Sequence, residues 1–398
     1  MTRTKESFIA YVFFLLTFAV AFALSMEQRD LTTSSRPLSS LRIVGKKSTI
    51  RTAPCRKLSP PFPNGSCGGR IITIPPEDTY GIDTNLATIN LGGGLILPPR
   101  PIYVWLPPDY DKTNVVRRHP VLYVHDGQNA WHDESSWTGT SWRLLGALVR
   151  MADHQLLRPL DAIDDDLSWK TSGTAALRQE ELQPPPLPIV VLLPSASDDL
   201  VPGIRRRHLE YGDMILPWAK AHVDFVAQTV KPLMDQRFAT NPSPQATYTI
   251  GTSLGGQASL HLLVRYPDLF GGAACMSPAF GPTIVEEVKR HSHELRSKKI
   301  YLDIGGDVDN IKVPLLDVWD HVTSQHWWNP GYFWLDTQLQ GMVHAMKQSL
   351  DQAGVNYVYH QVPGGRHNER AWAYRIDKPL LHLFGRPNLL GDETLLNR

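Results

Sequence analysis

The chain has 398 residues, 42% apolar and 20% charged, a globular make-up that excludes a disordered or fibrous protein. Lys plus Arg (40) nearly balances Asp plus Glu (39), leaving a formal net charge of +1, so neither a bulk basic field for nucleic acid nor an acidic tail is present. Three cysteines are too few for a disulfide-built mini-fold, and a chain this long buries a large core without staples.

Arg3 and Lys5 precede an apolar run from Phe8 to Leu24, and Ala23-Leu24-Ser25 offers the small residues of a cleavage site. Residues 1–25 read as a secretory signal peptide. The alternative is an uncleaved signal anchor over residues 8–24, because the run is near the lower limit for crossing a bilayer. Both readings send the chain into the secretory pathway, secreted or luminal in the first case and membrane-anchored in the second. No later run is as long, so no other membrane contact is expected. Residues 26–69 are polar and turn-rich and read as an extended leader. In an oxidising compartment Cys55 and Cys67 are expected to pair across a proline-rich loop that carries the sequon Asn64-Gly65-Ser66. Cys275 lies in an apolar run and reads as a buried, inert thiol.

From about residue 70 to 398 the pattern is that of one domain. Short apolar runs at Ile102–Leu106, Val121–Val124, Ile189–Leu193, Tyr248–Ile250, Ala273–Met276, Ile300–Ile304 and Tyr357–Gln361 alternate with helix-length segments. Runs apolar on both faces predict strands of a parallel sheet covered on two sides. Leu335, Leu339, Met342, Val343, Met346 and Leu350 share one helical face, with Gly354 as a stop. Val223, Val226, Val230 and Leu233 do the same, but Pro232 predicts a kink or an early end. The stretches near 153–188 and 307–331 are long for connections in a compact sheet domain and read as surface insertions.

The chemistry concentrates at Gly251-Thr252-Ser253-Leu254-Gly255, a G-x-S-x-G pattern between an apolar strand and a helical run from Gln257 to Tyr266. That context predicts a serine nucleophile lifted on a tight turn, with the Leu254 amide available to an oxyanion. A hydroxyl needs a base, and the glycine-rich loop after the last strand supplies His367. The orienting acid is expected after the preceding strand, where Asp309 is preferred and Asp307 is the alternative. The second oxyanion amide is expected in His125-Asp126-Gly127-Gln128-Asn129, with Gln128 as the choice. His125 and Asp126 lack companions at ligand spacing, so no metal is assigned, and the chemistry calls for no organic cofactor. Trp327 and Trp328, with Tyr332, Phe333 and Trp334, either line a pocket for a sugar or aromatic acyl group or simply pack the insertion. Arg205-Arg206-Arg207 reads as a solvated face or an ion-pair partner, with an anionic-substrate site as the lesser reading.

Several segments together resemble the Putative esterase (esterase D-like) family of α/β-hydrolases. They are Val104–Tyr110, His119–Asn129, Gly251–Gly256, Tyr266–Phe270, Met276–Ala279 and Pro363–Glu369 with Trp372. The resemblance implies an α/β-hydrolase fold, a mostly parallel central sheet with helices on both faces. It also implies a serine hydrolase in which Ser253 and His367 are the matched triad members. The substrate class it implies is a small-molecule or carbohydrate-linked carboxylic ester, such as acyl groups on polysaccharide or siderophore-like esters. Two other readings are an acyltransferase on the same triad and a binding protein that has lost the chemistry.

Overall fold

The computed structural model describes residues 58–386, apart from 81–87, 90–94, 98–99, 115, 159–183, 198, 202–203 and 315–333. The expected signal segment, Cys55 and most of both insertions lie outside the described residues. Eight strands form the central sheet: β1 (Arg70–Ile74), β2 (Ile102–Leu106), β3 (Val121–His125), β4 (Ile189–Leu193), β5 (Thr247–Thr252), β6 (Gly272–Met276), β7 (Lys299–Ile304) and β8 (Val358–Gln361). Their spatial order is 1-2-4-3-5-6-7-8. β2 runs antiparallel to both β1 and β4, and every pair from β4 to β8 is parallel. This order and direction is the α/β-hydrolase sheet.

The helices used below are α1 (Leu144–Asp153), α2 (Pro217–Phe225), α3 (Lys231–Arg237), α4 (Leu254–Arg265), α5 (Pro282–Arg290), α6 (Leu335–Ala353), α7 (Glu369–Ala373) and α8 (Asp377–Phe384). Because strand side chains alternate in direction, each strand feeds two cores. Val121, Tyr123, Ile189 and Val191 pack with Val226, Leu263, Val288 and Met346. Leu122, Val124, Val190 and Leu192 pack with Leu145, Leu148, Leu380 and Leu383. The strands are thus apolar throughout because helices cover both sides.

Three details depart from the sequence reading. β1, Arg-Ile-Ile-Thr-Ile, is an edge strand that was not among the expected runs: Ile74 is buried, Ile71 and Ile72 are half-buried, and Arg70 and Thr73 are exposed. Pro232 does not end its helix. A π-helical stretch, Val226–Val230, joins α2 to α3 and absorbs the missing N–H, so Val223, Val226, Val230 and Leu233 still reach the core. The leader is packed from residue 58 onward: Phe62 is buried, and Trp105 Nε1 donates to the Ser66 carbonyl at 2.8 Å. Residues 58–69 therefore pack onto the domain. Among the described residues Cys67 has no disulfide partner, and Cys55, its expected partner, lies outside them. Among the described residues no helix is long and apolar enough to cross a membrane.

Candidate active site

The elbow sits where β5 meets α4. Ser253 has φ 56° and ψ −126°, a backbone that side-chain-bearing residues rarely adopt, and it stands half-buried at the C-terminal edge of the sheet. The turn is pinned from two sides, since Ser253 N–H donates to the Met276 carbonyl and Ala279 N–H donates to the Ser253 carbonyl, both at 3.0 Å. The flanking glycines serve close approach, of main chain at Gly251 and of the Asp126 side chain at Gly255. A Cβ on Gly251 would lie 2.3 Å from the Gly255 carbonyl carbon, and one on Gly255 would lie 2.9 Å from Asp126 Oδ2. Leu254 is the first residue of α4, so its N–H has no acceptor within the helix.

His367 lies in the loop between β8 and α7 and is fully buried. That loop is zipped to the one after β7: Gly306 N–H donates to the Gly365 carbonyl (2.7 Å) and Gly364 N–H to the Gly306 carbonyl (2.8 Å). His367 Nδ1 is 2.6 Å from Asp336 Oδ1. The carboxylate beside His367 is therefore Asp336, in the first turn of α6, where Asp309 or Asp307 was expected. Asp309 is exposed in a tight turn at φ 42°. Asp307 accepts from Val313 N–H at 2.8 Å and lies 3.6 Å from Lys312 Nζ. The loop after β7 turns back on itself, with Val308 and Ile311 paired, so its aspartates are engaged in the turn. The chain instead reaches the histidine by the far route, through the insertion and into α6.

Asp336 Oδ2 accepts from Gly305 N–H and Ser277 O–H, both at 2.8 Å. A Cβ on Gly305 would come within 2.4 Å of that oxygen, so only glycine lets the carboxylate in. Burial raises the Asp336 pKa, but His367, Arg375 and Ser277 outweigh it and hold the carboxyl below the ordinary range. Trp372 meets the His367 ring edge-on at 5.0 Å and donates through Nε1 to Ser277 Oγ at 3.1 Å. Ser277 follows Met276, the partner of Ser253 N–H. The elbow and the His367–Asp336 pair thus surround one corner of the sheet.

The loop after β3 is a 3-10 turn, Gly127–Asn129, entered through Asp126 at φ 56°. Arg207 grips Asp126 with two bonds, Nε to Oδ1 at 2.7 Å and Nη2 to Oδ2 at 2.6 Å. The arginine run therefore supplies an ion-pair partner at Arg207. Burial raises Asp126, and Arg207 more than offsets it, keeping its pKa low. The Gln128 side chain exchanges bonds with Ser195, donating to Oγ at 2.9 Å and accepting from N–H at 3.1 Å. These bonds anchor the loop whose amides were expected to face the oxyanion. Glu369, two residues past His367, is fully buried and accepts from Trp137 Nε1 at 2.6 Å. Burial, offset in part by Trp137, pushes its carboxyl up to about 7. Trp327 and Trp328 lie outside the described residues.

Asp336 escaped the sequence reading because an aspartate in a first helical turn is ordinarily explained by the helix dipole. Its signal was order alone: an acid between the elbow serine and the late histidine. The roles of Ser277, Arg375 and Trp372 left no motif beyond the family segments that contain two of them.

The fold and this site define the class, an α/β-hydrolase with a serine elbow and a buried His–Asp pair. The family model described as Putative esterase matches residues 208–383, a stretch that includes Ser253, Asp336 and His367. An uncharacterised protein of Bacillus subtilis (strain 168), YjcH, is 32% identical over 85 residues, 21% of this chain and 35% of that protein. The match thus spans about a third of the curated relative. Among solved structures, the chain is similar to a ferulic acid esterase at 14% identity and TM-score 0.47, covering 79% of this chain and 99% of that one. It is also similar to the ferulic acid esterase of Anaeromyces mucronatus (15%, TM-score 0.44, 78% and 88% covered). The enterobactin esterase of Shigella flexneri is similar at 14% and TM-score 0.43, with 83% and 61% covered.

Proposed function

We propose that the protein is a serine hydrolase of carboxylic esters. The observation that carries this reading is the strained Ser253 elbow at the same sheet edge as a buried His367–Asp336 pair. His367, held in one orientation by Asp336, takes the Ser253 proton as Ser253 Oγ adds to the ester carbonyl. The Leu254 and Gln128 amides receive the oxyanion charge. Collapse expels the alcohol, with His367 returning the proton to it, and leaves an acyl-enzyme. Water, deprotonated by His367, then adds to the acyl carbon and releases the acid and free Ser253. All bonds made and broken are between substrate, water and Ser253, so the cycle closes on the chain's own residues.

The substrate class supported by the family resemblance is an acyl group on a carbohydrate or on a siderophore-like ester, met in the secretory pathway. The test has two arms. A fluorophosphonate should label the protein and fail to label Ser253→Ala. A panel of aryl, acetyl and feruloyl esters, run with and without an acceptor sugar, should give free acid. Labelling that persists in Ser253→Ala would sink the proposal, and an acylated sugar as main product would convert it to acyl transfer.

A further inference from the structure

The polar groups behind the His367–Asp336 pair are closed off from solvent: Ser277, Asp303, Asp336 and His367 are 0% exposed and Arg375 is 3% exposed. Ser277 Oγ contacts Asp336 Oδ2 (2.8 Å), Trp372 Nε1 (3.1 Å) and Arg375 Nη2 (2.6 Å). Indole and guanidinium nitrogens only donate. The hydroxyl accepts from both, so its one proton is forced toward Asp336. Arg375 spans the next step. Its Nε and Nη2 donate to the two oxygens of Asp303 at 3.3 and 3.2 Å, and Nη2 is 3.8 Å from Asp336 Oδ2. Asp303 also accepts from Ser277 N–H at 2.9 Å and from Tyr301 O–H at 3.1 Å. Each of these partners is a donor, as an ionised carboxylate requires; burial raises the Asp303 pKa, and Arg375 and the Ser277 amide oppose it.

We propose that Ser277, Arg375 and Asp303 are positioning residues for the acid: a buried relay that locks the Asp336 carboxylate against His367 and sets how readily the imidazole accepts a proton. The proposal rests on the triad reading above. Charge gives it direction. Two carboxylates and one guanidinium leave one surplus negative charge, which the imidazolium formed in the reaction neutralises. Removing the Asp303 charge leaves the imidazolium uncompensated and lowers its affinity for the proton. Removing the Arg375 charge leaves extra negative charge and raises that affinity. A purely structural role does not produce shifts of opposite sign. The other groups facing the relay are Tyr301 from β7 and, by charge, Cys275, Tyr359, Asp377 and Lys378.

The test compares Asp303→Asn, Arg375→Gln, Ser277→Ala and the Asp303→Asn/Arg375→Gln double variant of the full chain. The His367 ring is titrated by NMR, and kcat and KM are measured on 4-nitrophenyl acetate across pH. The His367 titration should move about one pH unit down in Asp303→Asn and about one unit up in Arg375→Gln, and return close to wild type in the double variant. Ser277→Ala should lower kcat about tenfold with KM within about twofold. Should Arg375→Gln fail to fold, Asp303→Asn and the charge-balanced double variant carry the same contrast. Shifts of one sign in all folded variants, or none at all, overturn the relay. The NMR readout needs no turnover, so a wild type inert to esters breaks the functional reading while the relay is still measured on its own.

Discussion

The elbow and the acid corner lie at the same edge of the sheet but are held by different forces. At Ser253 the geometry is set by close contact: a methyl group on Gly251 would strike the Gly255 main chain, and one on Gly255 the Asp126 carboxylate. At Asp336 it is set by polar groups from four segments: the Ser277 hydroxyl, the Gly305 amide, the His367 ring and, at 3.8 Å, the Arg375 guanidinium. A steric site is written in contiguous residues and fails abruptly. A hydrogen-bonded site is assembled from distant ones and fails by degrees, through charge.

The largest expected break is on the acid side. Asp336→Asn should lower kcat by about 10⁴, because an amide supports the wrong imidazole tautomer, while Asp309→Asn and Asp307→Asn should stay within about threefold of wild type. Ester kinetics on the three variants decide it, and a large loss at Asp309 would return the acid to the loop after β7. On the elbow side, Gly251→Ala must displace the Gly255 carbonyl, and we expect a loss of about 3 kcal/mol in denaturant unfolding together with loss of activity. Retained stability and rate would show that the elbow can flex.

The pH response sharpens the contrast further. His125, whose ring touches Ser259 behind the elbow, is depressed to about 4 and His261 to about 3, chiefly by burial. Both bind a proton more weakly folded than unfolded. Their contribution to stability is complete above the ordinary histidine value of about 6.5 and is lost as pH falls toward 4 and then 3, at about 1.4 kcal/mol per group per pH unit. Urea unfolding midpoints between pH 7 and 4 should fall accordingly, and a flat profile would contradict the buried neutral rings. Glu369 has the opposite sign. Its folded value of about 7 exceeds the unfolded one, so folding is penalised as pH rises from about 4.5 to 7. Glu369→Gln should therefore stabilise the protein at pH 8 by about 3 kcal/mol and change nothing at pH 4, measured by the same unfolding curves.

Much of this was legible in the residues. The seven apolar runs fall on strands of the sheet, and the heptad-like face from Leu335 to Leu350 is a helix that ends at Gly354 in a left-handed cap. Ser253 takes the strained backbone its glycines announced. What stayed hidden had no local signature. β1 is a half-buried edge strand that the runs did not include, and the end of the leader is fixed by what it packs on: Phe62 joins the core beneath α1, and Gly146 leaves room for the Pro63 backbone.

The amino-acid order by itself determined the sheet, the elbow and the histidine, because each depends on neighbours within a few residues: alternation of side chains, the space a glycine leaves, the turn after a strand. Only the folded chain decided which carboxylate serves the histidine and how Arg375 divides its charge between two aspartates. Those choices depend on distances across a buried corner, where a donor's partner is set by which segments meet there and not by which residues adjoin it in the chain.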